Sequence, residues 1–298
     1  MHESVLLHEA VDGLNVRRGK VVVDATLGAG GHSRLICERL GGAGRLIGID
    51  ADRTTLLRAA EFAGQGGCEL IPVLGNFRDL TELLSEVGIS EIDGIIFDLG
   101  VRSNQLEGSA RGFSFRAHEP LRMTFAADAS AEATTALDVV NRWSEEHIAD
   151  ILRGFGEEKY ANRIASAIVR AREAHAIEYS DDLGVIVWQA VPHAHRHGRI
   201  HPATRTFQAI RMAVNDELGA LQSGLSKGWS VLRPHGRMSV ISFHSIEDRI
   251  VKQFFKEREI AGEAVRITKK PIVPMAEEIA RNPRSRSAKL RVCEKIDI

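Results

Sequence analysis

The chain has 298 residues, of which 44% are hydrophobic, 27% charged and 5% aromatic. This composition is typical of a soluble globular protein and excludes global disorder. No apolar stretch approaches the roughly 18 residues of a membrane-spanning helix, and the N-terminus lacks the basic start and apolar run of a secretion signal. We therefore expect a cytoplasmic protein of one large domain or two, with no membrane association.

The net charge of -1 conceals an uneven distribution. Residues 249–298 hold 13 Lys+Arg against 7 Asp+Glu, so residues 1–248 carry a net charge of -7. A second basic region, 183–215, contains no acidic residue at all. Both regions suit a polyanionic partner, although a solvated surface without a partner also explains such charge runs.

The cysteines and the motif inventory exclude several classes of protein. Cys37, Cys68 and Cys293 are odd in number and far apart, which argues against a disulfide framework and against a C-x-x-C zinc site. We expect reduced thiols and no metal. The sequence also lacks a P-loop, an H-E-x-x-H zinc motif and a G-x-S-x-G elbow.

The first hundred residues alternate between short β-branched runs and segments with helical spacing. This alternation predicts βαβ units around a parallel, doubly wound sheet. The predicted strands are 20–24, 45–50, 69–73 and 93–98, and the predicted helices are 32–40, 54–62 and 79–87. Asp24, Asp50 and Asp98 end three of these strands, where the ligand crevice of such a sheet lies.

The pattern changes after Asp98. A polar stretch predicts a loop over 99–125, and consecutive helices follow over 131–190, with Ser180 as a candidate cap. One long helix is expected over 204–232, followed by a strand over 238–243. We therefore predict a discontinuous α/β domain, 1–103 and 203–298, interrupted by an all-helical insert, 104–202.

A glycine-rich turn lies directly between the first predicted strand and the first predicted helix. It reads Asp24-Ala-Thr-Leu-Gly-Ala-Gly-Gly-His32, and Asp50 ends the next strand twenty residues after Gly30. Glycine lets a ligand approach the backbone, and an acid in this register accepts hydrogen bonds from ribose hydroxyls. A lone glycine cluster would be only a tight turn, but the whole register points to a bound nucleoside.

Two cofactor types fit this register. A dinucleotide favours G-x-G-x-x-G, whereas Gly28 begins G-A-G-G-H-S, which lacks the third glycine. Asp24, four residues before Gly28, matches the D-x-x-x-G-x-G start of S-adenosylmethionine sites, and we favour that cofactor. Asp98 would face the cofactor or substrate, or serve as a turn cap. Phe77 would stack on an adenine, or be an ordinary core aromatic.

The order and length of several motifs resemble the RsmH (MraW) family of methyltransferases over almost the whole chain. The motifs are Ser4-Val-Leu-Leu-His-Glu, Asp24-Ala-Thr-Leu-Gly-Ala-Gly-Gly-His-Ser, Asp98-Leu-Gly-Val, Arg111-Gly-Phe-Ser-Phe, His201-Pro-Ala-Thr-Arg-Thr-Phe-Gln, Ser242-Phe-His-Ser-Ile-Glu-Asp-Arg and Asn282-Pro-Arg-Ser-Arg-Ser-Ala-Lys-Leu-Arg. The resemblance implies a Rossmann-like class I methyltransferase sheet interrupted by a helical domain for substrate recognition. It also implies methyl transfer from S-adenosylmethionine to the N4 amine of a cytosine in the decoding region of 16S ribosomal RNA.

The resemblance assigns residues as well. It places Gly30, Gly31, His32, Asp50, Phe77, Asp98 and Gln105 at the cofactor. A delocalised N4 lone pair is a poor nucleophile, so an acceptor for the amine proton is needed; Asp98 is the candidate, and His244 and Ser245 are alternative contacts to the base. Phosphate contacts are expected from Arg199, His201, Arg205, Arg281, Arg284, Arg286 and Arg291. For any single one of these arginines, a structural salt bridge explains the sequence at least as well.

The chain departs from the family pattern at Arg102, Arg122 and Thr124, where relatives usually carry serine, aspartate and arginine. We expect activity to survive because the cofactor residues are retained. Alternatives are an amino-methyltransferase acting on DNA or another RNA, a cofactor- and RNA-binding assembly factor without activity, and, less well matched, a dinucleotide oxidoreductase. The oligomeric state is open and includes a dimer.

Overall fold

The computed structural model describes residues 4–62, 67–100, 110–126, 133–198 and 200–297. Within these ranges the sheet has seven strands: β1 (Val21–Asp24), β2 (Arg45–Asp50), β3 (Glu69–Leu74), β4 (Ile92–Asp98), β5 (Leu232–Ser242), β6 (Ala264–Arg266) and β7 (Lys289–Lys295). The helices before the insert are α1 (Leu7–Gly13), α2 (Gly31–Leu40), α3 (Arg53–Phe62) and α4 (Leu80–Glu86).

The remaining described helices complete the chain. They are α5 (Ala136–Arg142), α6 (Glu145–Gly154), α7 (Ala161–Ala174), α8 (Ser180–Ala190), α9 (His193–Arg196), α10 (Ala203–Asn215), α11 (Glu217–Val231), α12 (Ser245–Ile260) and α13 (Ala276–Arg281). No helix in the ranges that the structure describes is both long and apolar enough to cross a bilayer.

The chain divides into two compact units. Unit 1 comprises Met1–Gly100 and Leu218–Ile298, and unit 2 comprises Val101–Glu217. The second boundary therefore lies after Glu217, whereas the sequence analysis put it after 202. The difference has a packing cause: Phe207, Ala209 and Ile210 of α10 are buried in the helical core of unit 2.

Unit 1 confirms the predicted Rossmann-like α/β fold. The strand order is β3-β2-β1-β4-β5-β7-β6, with β1 to β5 parallel and β7 antiparallel to both of its neighbours. Strand β1 is buried throughout because both faces of the sheet are covered. Val22 packs in a core with α1 and α2, and Val21 and Val23 pack in the core that includes α4, α11 and α12.

The strand order fixes where a ligand crevice lies. The chain moves outward from β1 to β2 and β3, and then returns to β4 on the other side of β1. Loops after β1 and β4 therefore leave the sheet in opposite directions at this switch point, and a crevice opens at the carboxyl ends of the strands. Asp24, Asp50 and Asp98 are the last residues of β1, β2 and β4.

Unit 2 is helical in its described part, and its first two helices are capped by polar side chains. Thr135 and Asp138 form a reciprocal capping box at the start of α5, and the Ser144 hydroxyl accepts from the His147 N–H at the start of α6. Ser180 was expected to cap α8, but Tyr179 holds that position. The Ser180 hydroxyl instead donates to the Ala117 carbonyl at 2.6 Å.

The single helix expected over 204–232 is two helices, α10 and α11. Asp216 separates them in the left-handed region, with φ of 45°. The end of α10 is held by Asn215, whose amide accepts from the Phe125 N–H at 2.9 Å and donates to the Met123 carbonyl at 2.7 Å. These contacts stabilise the break between α10 and α11. The amphipathic pattern of the sequence continues through the break and therefore gives no sign of it.

The expectation of reduced thiols is wrong for two of the three cysteines. Cys37 of α2 and Cys68, just before β3, form a disulfide across 31 residues of sequence, with their Cα atoms 5.0 Å apart. Sequence separation gave no indication that α2 and β3 bring these positions together. Cys293 is a free, buried thiol, and burial raises its pKa to about 12.

Candidate active site

The glycine turn after β1 is shaped by left-handed backbone. Gly28 and Gly30 have φ of 55° and 78°, values that residues other than glycine rarely adopt. Gly30 is the N-cap of α2. The backbone N–H groups of the first turn of a helix have no intrahelical partner, and their positive dipole end favours an anionic group. The turn thus presents donors at the ligand crevice.

The carboxylate of Asp24, at the end of β1, holds the glycine turn in shape. Its carboxylate accepts from the Ser33 hydroxyl at 2.6 Å and from the Thr26 N–H at 3.1 Å, and the residue is buried. Burial raises the pKa of the Asp24 carboxyl, and the hydrogen bond from Ser33 opposes that rise. Asp24 therefore holds both ends of the glycine turn and acts on the turn rather than on solvent.

Asp50 reaches the same turn from β2. One carboxylate oxygen accepts from the Gly28 N–H at 3.1 Å, and the other accepts from the Asp52 N–H at 2.8 Å. These two bonds fix the orientation of the carboxylate, which is a group of the kind that accepts hydrogen bonds from sugar hydroxyls. The side-chain chemistry of the site therefore fits a ribose at the end of β2.

Asp98 closes the other side of the turn. Its backbone N–H donates to the Thr26 hydroxyl at 2.7 Å, which fastens the end of β4 to the loop after β1. Its carboxylate lies 3.6 Å from Nδ1 of His32, the second residue of α2. The structure therefore brings together five of the predicted residues: Gly30, Gly31, His32, Asp50 and Asp98.

Phe77 begins a short 3₁₀ turn, Phe77–Asp79, just after β3. Its ring packs edge to face on Phe97 at 5.6 Å between centroids, and a Cβ added at Gly224 of α11 would lie 2.7 Å from it. The ring is partly buried against the sheet core. Phe77 is therefore packed as a core aromatic residue. Its stacking on an adenine stays a prediction. Gln105 and Arg102 lie outside the described residues.

His244 is committed to helix capping. Its Nδ1 accepts from the Glu247 N–H at 3.3 Å, while the Glu247 carboxylate accepts from the N–H groups of Phe243 and His244 at 2.9 and 3.3 Å. This capping box starts α12 directly after β5. The alternative role of His244 and Ser245 in contacting a base stays a prediction.

The basic residues fall into different environments. In unit 2 the ring of His201 stacks on Phe115 at 4.4 Å, and burial together with the Arg116 guanidinium lowers the pKa of His201, so its imidazole is neutral at pH 7. Arg205 donates to the Glu157 carbonyl at 3.1 Å. Arg199 lies outside the described residues.

In unit 1 the tail arginines differ sharply from one another. Arg281, Arg284 and Arg286 are exposed. Arg291 was expected to contact phosphate, but it is buried and donates to the Asp248 carboxylate at 2.7 and 3.3 Å. Of the two readings of Arg291, phosphate contact and structural salt bridge, the structure therefore supports the salt bridge, because the guanidinium is buried against Asp248 of α12.

Three residues at the site were not predicted from the sequence as site residues. Ser4, Val5 and Leu6 lie on the glycine turn: a Cβ on Gly31 would be 1.9 Å from the Ser4 hydroxyl, and His32 Nε2 lies 3.1 Å from the Val5 carbonyl. The Leu6 N–H donates to the Glu278 carboxylate at 2.9 Å. Only the motif that begins at Ser4 could have drawn attention to this segment.

Comparison with known proteins gives matches along the whole chain. A family model described as the MraW methylase family matches residues 1–296. Two curated proteins named ribosomal RNA small subunit methyltransferase H are similar to it: one from Brevibacillus brevis is 44% identical over 99% of this chain and 98% of its own, and one from Thermomicrobium roseum is 45% identical over 99% and 94%. A solved rRNA methylase from Streptococcus thermophilus covers 100% of this chain and 99% of its own, with a TM-score of 0.44 and 11% identity.

Proposed function

The chain belongs to the MraW methylase family, and from that premise we propose that it methylates the N4 amine of a cytosine in the decoding region of 16S ribosomal RNA. It is a methyltransferase that uses S-adenosylmethionine. The proposed partner is the small ribosomal subunit, and the proposed compartment is the cytoplasm. The observation that carries the proposal is the pair of acids, Asp50 and Asp98, that meet the glycine turn from β2 and β4.

The donors and acceptors at the crevice fit the cofactor. Asp50 would accept from the ribose hydroxyls, and the first-turn N–H groups of α2, at Gly31 and His32, would receive the carboxylate of the amino-acid part. Phe77 would lie against the adenine, and Gln105 would complete the pocket. When bound there, the cofactor supplies a methyl group on a positively charged sulfur.

Asp98 is the residue that we assign to the target amine. The lone pair of a cytosine N4 is delocalised into the ring, so an acceptor for the amine proton is needed to raise its nucleophilicity. Enzymes that modify a base extrude it from its stack into a pocket, which brings the amine within reach of such an acceptor. The Asp98 carboxylate is about a quarter exposed, so it is accessible to a base.

Two exposed arginines of the tail are the proposed RNA contacts of unit 1. Arg284 and Arg286 lie in a 3₁₀ turn ahead of β7, where their guanidinium groups would contact phosphates without selecting a sequence. Arg199, Arg205 and His201 are the proposed contacts from unit 2, where His201 would contribute its ring and not a charge. Unit 2 is the proposed substrate-recognition domain.

The test is methyl transfer from isotopically labelled S-adenosylmethionine to purified small subunits that lack the modification, followed by mass spectrometry of the nucleosides. Labelled N4-methylcytidine is the expected product, and Asp98→Ala is expected to lose it; calorimetry with the cofactor on the same variant separates loss of the proton acceptor from loss of a cofactor contact. Label in another base would overturn the substrate assignment. Binding of cofactor and subunits without any transfer would identify an assembly factor instead.

A further inference from the structure

The imidazole of His32 lies between two oxygen atoms, the Val5 carbonyl oxygen and a carboxylate oxygen of Asp98. The contact with the carbonyl determines which ring nitrogen carries the proton. Its side chain is 6% exposed; Nε2 is 3.1 Å from the Val5 carbonyl oxygen, and Nδ1 is 3.6 Å from Oδ2 of Asp98. A carbonyl oxygen accepts but cannot donate, so the proton of a neutral imidazole must sit on Nε2. Nδ1 therefore presents a lone pair to the Asp98 carboxylate.

The Val5 carbonyl is held in place from two directions. The Ser4 hydroxyl occupies the space above Gly31, and the Leu6 N–H donates to Glu278 of α13 at 2.9 Å. Leu6 itself is buried, with φ of 50°. The segment Ser4–Leu6, which we call the N-terminal strap, thus sets the tautomer of His32 and turns Nδ1 toward Asp98.

Two acceptors that face each other without a proton repel, and a single proton between them converts the contact into an attraction. The present 3.6 Å is longer than a hydrogen bond but within ion-pair distance, and catalytic contacts often tighten only when ligands are bound. The amine in the proposed reaction must lose exactly one proton. A carboxylate and an imidazole nitrogen that both accept can share the one proton that the amine releases.

We propose that His32 is a positioning residue for Asp98, and that the two side chains together hold the proton which the target amine loses. The N–H bond breaks with its electron pair left on nitrogen, the proton passes to the Asp98 carboxylate, and Nδ1 of His32 shares it as an imidazolium–carboxylate pair. The proton leaves to water when the products depart. This inference rests on the proposed role of Asp98 in amine methylation.

Among the residues that the structure describes, two further carboxylates lie around His32 and the N-terminal strap. Asp24 of β1 attracts the protonated imidazole, but its own oxygens are bonded to Ser33 and Thr26. Glu278 is engaged by the Leu6 N–H on the far side of the strap. Asp98 is thus the carboxylate that approaches Nδ1, and it is the one to remove when the coupling is measured.

The first experiment needs no cofactor or RNA. Nitrogen-15 NMR of labelled histidine in the purified protein, with His32→Gln to assign the signal, is expected to show the Nε2–H tautomer. Asp98→Asn is expected to shift the Nδ1 resonance of His32, because that nitrogen faces the Asp98 carboxylate. The Nδ1–H tautomer, or an unchanged Nδ1 resonance in Asp98→Asn, would overturn the proposal.

The second experiment separates a positioning role from simple cofactor binding. Glutamine keeps a donor near the Nε2 position but cannot hold the proton, so His32→Gln is expected to lower kcat about 10- to 100-fold. The acidic limb of its pH profile should shift, and calorimetry with S-adenosylhomocysteine on the same variant measures any loss of cofactor affinity separately. His32→Asn serves as the second variant should glutamine not fold. Weaker cofactor binding with an unaltered pH profile would mean that His32 is a cofactor ligand only.

The two experiments also separate this inference from the proposed function. A wild-type protein that shows the His32–Asp98 contact by NMR but transfers no methyl group would contradict the proposed function, and with it the catalytic use of the pair.

Discussion

The guanidinium of Arg291 and the carboxylate of Asp248 form a buried, two-pronged ion pair, with Nε to Oδ1 at 2.7 Å and Nη2 to Oδ2 at 3.3 Å. It joins β7 to α12, and Lys289 adds a third contact at 3.1 Å. Burial alone would raise the pKa of Asp248, but the hydrogen bonds from Arg291 and Lys289 outweigh it and lower that pKa.

Asp248→Asn is expected to destabilise the protein by about 3 to 5 kcal/mol, because it leaves the Arg291 charge buried without its partner. Because folding lowers the pKa of Asp248, its carboxylate stabilises the folded protein at pH values above its ordinary pKa of 3.8. This stabilisation is lost as the pH falls through the pKa of Asp248 in the folded state. Urea unfolding at a series of acidic pH values measures both effects, and the variant should show a flatter acid limb. Glu91→Gln, which weakens an exposed pair with Arg233, is the control and should change stability by at most about 1 kcal/mol. Equal losses in the two variants would contradict the assignment.

The Cys37–Cys68 disulfide closes a loop of 31 residues and is expected to contribute about 3 to 4 kcal/mol. A phosphine reductant should therefore lower the urea midpoint of the oxidised protein. Cys68→Ser provides the control, since its midpoint should not respond to reductant. Identical midpoints for the wild-type protein with and without reductant would show that the bond adds no stability.

Asp50→Ala is expected to weaken S-adenosylmethionine binding about 10- to 100-fold, since charge-assisted hydrogen bonds to the ribose are lost. Calorimetry measures the affinity. Asp52→Asn is the matched control: this nearby buried acid accepts from Thr54 at the start of α3, so its loss should affect stability and not affinity. Undiminished binding by Asp50→Ala would remove Asp50 from the site.

The double variant Arg284→Ala, Arg286→Ala is expected to bind small subunits with a shallower dependence on salt. Each lost phosphate contact should reduce the slope of log K against log salt by about 0.7 to 0.9. Arg233→Ala removes an exposed arginine that pairs with Glu91, and it should leave the slope unchanged. If both variants keep the wild-type slope, the RNA surface lies elsewhere.

The wild-type chain is expected to transfer methyl groups although Arg122 stands where relatives usually have an aspartate. The Arg122 side chain is exposed, and its carbonyl accepts from the Ala136 N–H at 2.9 Å, so its structural role is carried by the backbone. Arg122→Asp should fold and leave the rate within about threefold, in labelled-cofactor assays beside the wild type. An inactive wild type restored by Arg122→Asp would reverse this expectation.

The sequence predicted the sheet well because its strands are buried runs of β-branched residues. Those runs end where the structure ends them, at Asp24, Asp50 and Asp98, so the acids of the site were found with their strands. The break at Asp216 and the disulfide were missed for a different reason. Both depend on contacts between residues distant in sequence, such as Asn215 with Met123, which a local pattern does not contain.

The sequence could not separate phosphate-binding from structural arginines in the tail for the same reason. Charged and apolar residues alternate along Lys289–Lys295, which is compatible with a strand as well as with a basic surface. Only pairing with β5 distinguishes Arg291, which is buried, from Arg286, which is exposed. His244 was likewise ambiguous until its bond with the Glu247 N–H identified it as a cap.

The contact between Leu6 and Glu278 spans 272 positions of the chain. During synthesis Leu6 leaves the ribosome long before Glu278 has been added, so this hydrogen bond can form only after the strap and the glycine turn have had time to meet. A chain that stops before α13 would carry the glycine turn and the acids of the site and yet lack the hydrogen bond that holds the strap over them.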